Sequence, residues 1–382
     1  MSEDQGIAPS HKDLLRSITT NRDIADLLSA NTPICLGVSG GKDSQAVALA
    51  VARHLSAIGH VGPKILIHAD LGRVEWSDSM ATCERLAAHL GWELIVVKRQ
   101  AGDMMDRWLS RWDSRVKRYA NLDTVRVVLP WSTPKMRFCT SELKSVPIAS
   151  AIRKRFPSGP VISVDGVRAQ ESHARAKKPI SAPVKRLTRK GGEGFEWHAI
   201  LPWSTQDVFD EIEAAGLQPH EAYRVYGSTR VSCAFCIMGS IHDLTAATSA
   251  AETHDLYREM VDLECRSTFA FQGARWLGDV AAHLLTDRLR TDLASTKHRA
   301  ARRQQAEAEL PPNLLFGKGG WPSCVPSMDQ AELLARIRRE VADALGIEVG
   351  YTSGHSVRQR IGDLFEQARE KELKAQGVLS RA

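Results

Sequence analysis

Apolar runs alternate with stretches of helical periodicity through the first quarter of the chain. Ile34–Val38, Lys64–His68 and Glu93–Val97 read as strands, and Asp43–Ile58 and Ser77–Leu90 read as helices between them. The first helix ends near Gly59 and the second is closed by Gly91. This β-α-β-α-β order predicts a doubly wound, mainly parallel α/β sheet, with ligands beyond the carboxyl ends of its strands. A further helix is expected at Ser141–Phe156, a strand at Val161–Asp165, and a helix over 205–216 with Thr205 as its N-cap. Arg175–Gly194 is basic, contains glycine and lacks apolar periodicity, which predicts a mobile loop or lid. The pattern divides the chain in three. A helical lead-in covers 1–30, marked by Leu14, Leu15, Ile18, Ile24, Leu27 and Leu28. An α/β domain covers 31–245, and a helical, charged region covers 246–382, broken at Pro311-Pro312 and at Gly317–Pro322.

Composition narrows the class. A chain of 382 residues with 43% hydrophobic and 25% charged residues can bury a full core. No apolar run approaches a membrane span, and the polar start Met1-Ser2-Glu3-Asp4-Gln5 lacks a signal-peptide core, so a cytoplasmic protein with no membrane partner is expected. The formal charge of +6 suits an anionic ligand, a nucleotide or a nucleic acid. Seven cysteines in such a chain do not suggest a disulfide framework.

The strongest local chemistry is Ser39-Gly40-Gly41-Lys42-Asp43-Ser44, set between the first strand and the first helix. Strand, glycine loop and helix N-terminus make a phosphate cradle. Gly40 and Gly41 let backbone N–H groups turn inward, the helix adds partial positive charge, Lys42 adds a full one, and Ser39 and Ser44 add hydroxyls. Asp43 would repel a phosphate, so it either caps the helix or helps hold Mg²⁺. The spacing is not that of a Walker loop, which places four residues between its first glycine and the Gly-Lys pair. His68 and Asp70 end the second strand and are expected to face the same crevice. Asp70 has two readings, a contact to nucleotide or Mg²⁺, or a cap on the following turn.

Four more segments follow in order: Arg137-Phe138-Cys139-Thr140 with Leu143-Lys144; Gly166-Val167-Arg168 with Glu171-Ser172 and Arg175; Leu201-Pro202-Trp203 with Asp207-Val208; and Tyr223, Gly227 and Arg230 leading into Cys233-Ala234-Phe235-Cys236. With the glycine loop, these resemble the phosphoadenosine-phosphosulfate (PAPS) reductase family within the PP-loop ATP pyrophosphatase superfamily, over roughly residues 32–245. The resemblance implies an adenine nucleotide alpha hydrolase-like fold. It also implies nucleotide contacts from Ser39–Ser44, His68, Asp70, Gly166, Arg168 and Arg175, with Lys42, Ser39 and Asp43 taking part in catalysis. ATP and Mg²⁺ are the implied ligands. The family spans sulfonucleotide reductases, sulfate adenylyltransferase subunits and thiolation enzymes such as those of DNA phosphorothioation.

Two departures favour the thiolation type. The reductases carry a C-terminal Glu-Cys-Gly, and here no cysteine follows Cys324. The reductases also tend to have a degenerate loop, and this one is intact. In the family, Cys233, Cys236 and Cys139 would hold a [4Fe–4S] cluster, with Cys265 the best candidate for a fourth ligand. Zinc suits the same thiolates, and buried free thiols or a redox pair is the third reading. Cys35 and Cys83 read as small core residues.

The expectation is therefore ATP-driven adenylation of an acceptor, followed by sulfur transfer. A nucleic acid is a possible acceptor and a cysteine desulfurase a possible sulfur donor. The rivals are a sulfonucleotide reductase and a non-catalytic nucleotide sensor. Glu171 is expected to orient an arginine, and Lys144 to reach a phosphate or stay solvated. Three basic segments could contact nucleic acid or simply be structural: Lys177–Lys190, the Arg107/Trp108/Arg111/Trp112/Arg115 series, and His298–Arg303.

Overall fold

The computed structural model describes residues 16–317 and 319–375. Leu14 and Leu15 of the helical lead-in lie outside them. The chain forms two compact units, one running to Met104 and continuing over Pro134–Thr253, the other made of Met105–Thr133 and the chain from His254 onward. The second unit thus takes in residues 105–133, which lie inside the 31–245 span.

The first unit is built on a six-stranded sheet in the order β3-β2-β1-β4-β6-β5. Its strands are β1 (Ile34–Val38), β2 (Lys64–Asp70), β3 (Glu93–Lys98), β4 (Val161–Val164), β5 (Ser181–Pro183) and β6 (Gly194–Trp197). All neighbours run parallel except β5, which lies antiparallel to β6 at the edge. Strand alternation sorts the core into two layers. Ile34, Leu36, Val38 and Leu66 pack on one face with α1 (Arg22–Ser29), α2 (Lys42–Ala57) and α3 (Asp78–Leu90). Cys35, Ile65 and Ile67 pack on the other with Ala149 and Ile152 of α4 (Val146–Arg155). Helices on both faces of a mainly parallel sheet make this a doubly wound α/β fold. The strand order reverses beside β1, which opens a crevice at its carboxyl end.

The local signals act as their chemistry predicts. Asn21 caps α1 through Ile24 N–H, and Gly91 closes α3 in the left-handed region at φ 65°. Three expectations need correction. The N-cap of α5 (Thr205–Ala214) is Ser204, whose hydroxyl accepts from Asp207 N–H while the Asp207 carboxylate accepts in return; Thr205 is the first helical residue. The helix expected over Ser141–Phe156 is regular only from Val146, after a wide turn at Ser141–Ser145. The stretch expected as a lid contains β5 and ends at the start of β6, so part of it is sheet.

The second unit is helical, with long helices at Met104–Ala120, His254–Ser267, Asp287–Ala308, Met328–Leu345 and Gly354–Ala375. Trp108 and Trp112 are buried in it, and Trp108 meets Trp131 edge to face at 5.3 Å between ring centres. These rings are core, not a stacking platform. The basic segment at 298–303 is likewise structural. Arg303 is buried against Glu307 at 2.7 Å, and Arg302 pairs with Asp343. No helix among the described residues is long and apolar enough to cross a membrane.

Candidate functional site

The Ser39–Ser44 loop closes on itself. Ser44 Oγ donates to Gly41 O at 2.8 Å and accepts from Ser39 N–H at 3.2 Å. Gly40 stands at φ 72°, and a Cβ there would meet Ser79 Cα at 3.0 Å, so both backbone conformation and space require glycine. Gly41 occupies the N-cap position of α2 without a side-chain cap, leaving the helix N-terminus to the loop. Lys42, only 6% exposed, places its ammonium 3.3 Å from both Asp43 Oδ2 and Thr229 O.

Asp43 does not cap α2, because it lies within the first turn. Its Oδ1 accepts from Arg168 Nε at 2.6 Å. Asp43 is thus clamped between two cations, and any Mg²⁺ would have to compete with them. Gly166 permits this approach, since a Cβ there would come within 2.5 Å of Asp43 O. Arg168 is 3% exposed and also donates to Gln170 Oε1 and Trp203 O. Glu171 accepts from Arg168 N–H at 3.0 Å and forms an ion pair with Arg175, so it does orient an arginine.

These groups border one cavity of about 710 Å³. Ser39, Lys42, Asp43 and Ser44 line it, as do Gly166, Arg168 and Arg175. Lys144, Cys139, Cys233 and Cys236 line it as well. Six cationic side chains face four carboxylates around the wall, an excess of positive charge that suits a polyanion.

Two expected ligand residues do not reach the cavity. His68 is fully buried, its Nδ1 3.1 Å from Val38 O and its Nε2 3.1 Å from Glu75 Oε2. Burial opposes its charge, but the Cys83 thiol and the Glu75 carboxylate outweigh that and push its pKa up to about 10. Asp70 Oδ1 accepts from Gly72 N–H at 2.8 Å, the turn-capping role. Glu75 lines the cavity where His68 was expected, with the imidazole behind it.

The cysteines separate into three groups. Cys35 and Cys83 are core residues, as their strand and helix positions predict. Cys265 lies on the second unit's His254–Ser267 helix, buried, its thiol pushed up to about 11 chiefly by burial; it does not line the cavity. Cys139, Cys233 and Cys236 do line it. Burial pushes the Cys233 thiol up to about 12, with nearby Lys144 opposing and Cys236, Cys139 and Glu75 adding to the rise. Cys236 Sγ accepts Met238 N–H at 3.4 Å, the kind of donor that stabilises a metal-bound thiolate. Among the described residues these three thiols do not close to within 4.8 Å of one another. One tetrahedral zinc with Zn–S bonds of about 2.3 Å would draw them closer than that. A cubane binds each thiolate at a different iron, so its sulfurs stand wider apart; the chemistry of the donor set suits either group.

Tyr223, to which the sequence assigns no role, ties the glycine loop to the cysteine segment. Its hydroxyl accepts from both Lys42 N–H at 3.2 Å and Val231 N–H at 3.1 Å, and its ring lies 5.2 Å from the Lys42 ammonium. Burial raises its pKa, so it stays a neutral phenol. Only its place in the same segment as the Cys-x-x-Cys motif hinted at this.

The fold is a doubly wound α/β sheet with a glycine loop at its switch point. The chain belongs to the phosphoadenosine phosphosulfate reductase domain family, whose pattern matches residues 33–238, just over half of its length. It is also similar to an uncharacterized 37.8 kDa protein in the gpa 5′ region of Escherichia phage 186, with 28% identity over 53% of this chain. The chain spans 66% of the length of that curated relative.

Proposed function

We infer that this protein is an ATP-dependent adenylating enzyme coupled to sulfur transfer, of the thiolation type within its family. The observation that carries the reading is the intact Ser39–Ser44 loop opening onto the same cavity as Cys139, Cys233 and Cys236. The β,γ-pyrophosphate of ATP lies on the loop against Lys42, with Arg168 beside it at Asp43 and Arg175 on the same cavity. An acceptor oxygen attacks the α-phosphorus, the bond to the β-phosphate bridging oxygen breaks, and pyrophosphate leaves. Lys42 and the main-chain donors of the cradle neutralise the charge that builds on the leaving group, aided by Mg²⁺ carried in with the nucleotide. A sulfur nucleophile then displaces AMP from the activated acceptor. Cys139, Cys233 and Cys236 would hold a [4Fe–4S] cluster, which would supply an iron with an open coordination position for a sulfur donor. A nucleic-acid acceptor and a cysteine desulfurase as sulfur source complete the scheme, and the basic residues Lys177, Lys185, Arg186 and Lys190 offer phosphate contacts.

The test is pyrophosphate release from ATP·Mg²⁺ by the full chain. Release that falls about 100-fold or more in Lys42→Ala supports the reading. ATP binding without release points to a sensor, and sulfite release from PAPS without ATP points to a reductase. Iron and acid-labile sulfide in anaerobically purified protein, lost in Cys233→Ser, support the cluster; a colourless zinc protein refutes it.

A further inference from the structure

A second set of ligand-type side chains stands beside the cleft, and none of the steps above uses it. Strands β4 and β6 run parallel with Val164 opposite Trp197, so the next residues, Asp165 and His198, leave the sheet side by side. Glu196, two residues before His198, points to the same face. Among the described residues, Asp165, Glu196 and His198 are the set whose ligand atoms all lie within 4.8 Å of one another.

The histidine is oriented for this role. His198 is completely buried, and its Nδ1 lies 2.8 Å from Pro179 O. A carbonyl only accepts, so Nδ1 carries the proton and Nε2 presents its lone pair. A backbone carbonyl behind the distal nitrogen is how metal-binding imidazoles are commonly fixed. That lone pair faces Asp165 Oδ1 at 3.8 Å and Glu196 Oε2 at 3.9 Å. Three acceptors aimed at one point repel one another unless a cation stands between them. The Lys178 ammonium does so here, 3.2 Å from His198 Nε2 and 3.6 Å from Glu196 Oε1. Its side chain is 36% exposed. Two carboxylates against one ammonium leave a negative charge uncompensated.

We propose that Asp165, Glu196 and His198 bind a divalent cation with mixed nitrogen and oxygen preference, such as Mn²⁺, and that Lys178 is its placeholder in the metal-free protein. One imidazole with two carboxylates suits Mn²⁺, Fe²⁺ or Zn²⁺ better than Mg²⁺. The site is separate from the cysteine set, whose soft thiolates are poor ligands for Mn²⁺. Asp165 also lines the cleft, so the cation reaches the cavity wall next to Gly166 and Arg168.

The experiment is a Mn²⁺ titration of the chelator-treated full chain without nucleotide, followed by the electron paramagnetic resonance signal of the free ion. Omitting ATP separates this outcome from that of the adenylation reading. One saturable site per chain is expected, weakened about tenfold or more by Asp165→Asn and by His198→Gln, and tightened about tenfold by Lys178→Met, which removes the competing ammonium. Asp165 is partly exposed, so its variant remains informative if the buried His198→Gln fails to fold. The proposal is overturned if neither the parent protein nor Lys178→Met binds Mn²⁺ saturably. It is equally overturned if Asp165→Asn and Glu196→Gln leave binding unchanged, or if Lys178→Met binds no more tightly than the parent.

Discussion

Arg338 in the second unit and Lys42 in the first are both buried cations, but they are held very differently. Arg338 is fully buried and donates to four main-chain oxygens, those of Tyr119, Ala120, Gly350 and Tyr351, at 2.7–3.2 Å. Lys42 has two contacts at 3.3 Å and opens onto a cavity. The same contrast holds for the acids. Glu264 in the second unit accepts N–H bonds from Phe271, Leu277 and Gly278, whereas Glu75 in the first unit borders the cavity. Burial of charge therefore does not identify a functional group. A buried charge whose bonding capacity is filled by backbone is a structural joint; one left facing a cavity can serve a ligand.

The largest effect that would sharpen this contrast is expected from Arg338→Met. Stranding four carbonyls should cost about 3 kcal/mol or more of stability in chemical denaturation, without changing the affinity of the remaining folded protein for ATP. A loss of ATP affinity with stability intact would break the comparison. Lys42→Ala should do the reverse, abolishing most pyrophosphate release while the far-ultraviolet circular dichroism and the denaturation midpoint hold.

Glu264 gives a pH-dependent version of the same test. Burial pushes its carboxyl from 4.5 up to about 7, against the opposing pull of the three N–H donors. As pH rises from 4.5 to 7, the unfolded chain releases this proton while the folded chain keeps it. The folded state then binds more protons, and stability falls by an amount on the order of 3 kcal/mol across that window, levelling off above it. Denaturation midpoints measured across the window should show the fall, and Glu264→Gln should flatten it. An identical slope in the variant would assign the effect elsewhere.

The smallest effect is expected from Tyr223→Phe. Removing the hydroxyl leaves two loop N–H groups without their acceptor, at about 1–2 kcal/mol, and should weaken ATP binding by roughly tenfold in calorimetry. Unchanged affinity would mean that the cradle holds its shape without the phenol.

Much of the first unit was legible from short-range pattern. Ile34–Val38 and the helix after it were read to within a residue because strand, glycine loop and helix are written locally. The edge of the sheet was not, since β5 and β6 are three and four residues long and carry no period that a basic, glycine-containing segment would reveal. A histidine at a strand end carries no sign of which way its ring turns; the His68 ring turns inward, against Val38 O. Residue type alone likens Cys265 to the other cysteines, but it says nothing about the unit in which a helix is buried. The pairing of Asp165 with His198 depends on strand register across more than thirty residues, and register is a property of the folded sheet.

The Tyr223 hydroxyl sits at a junction, receiving one N–H from the glycine loop and another from the segment that continues into Cys233. A single oxygen thus sets the spacing between two loops of different chemistry. On the function proposed above, a disturbance of the cysteine segment, such as oxidation of Cys233, would be passed by the Val231 amide and the phenol to the Ser39–Ser44 loop, and nucleotide affinity should fall with it.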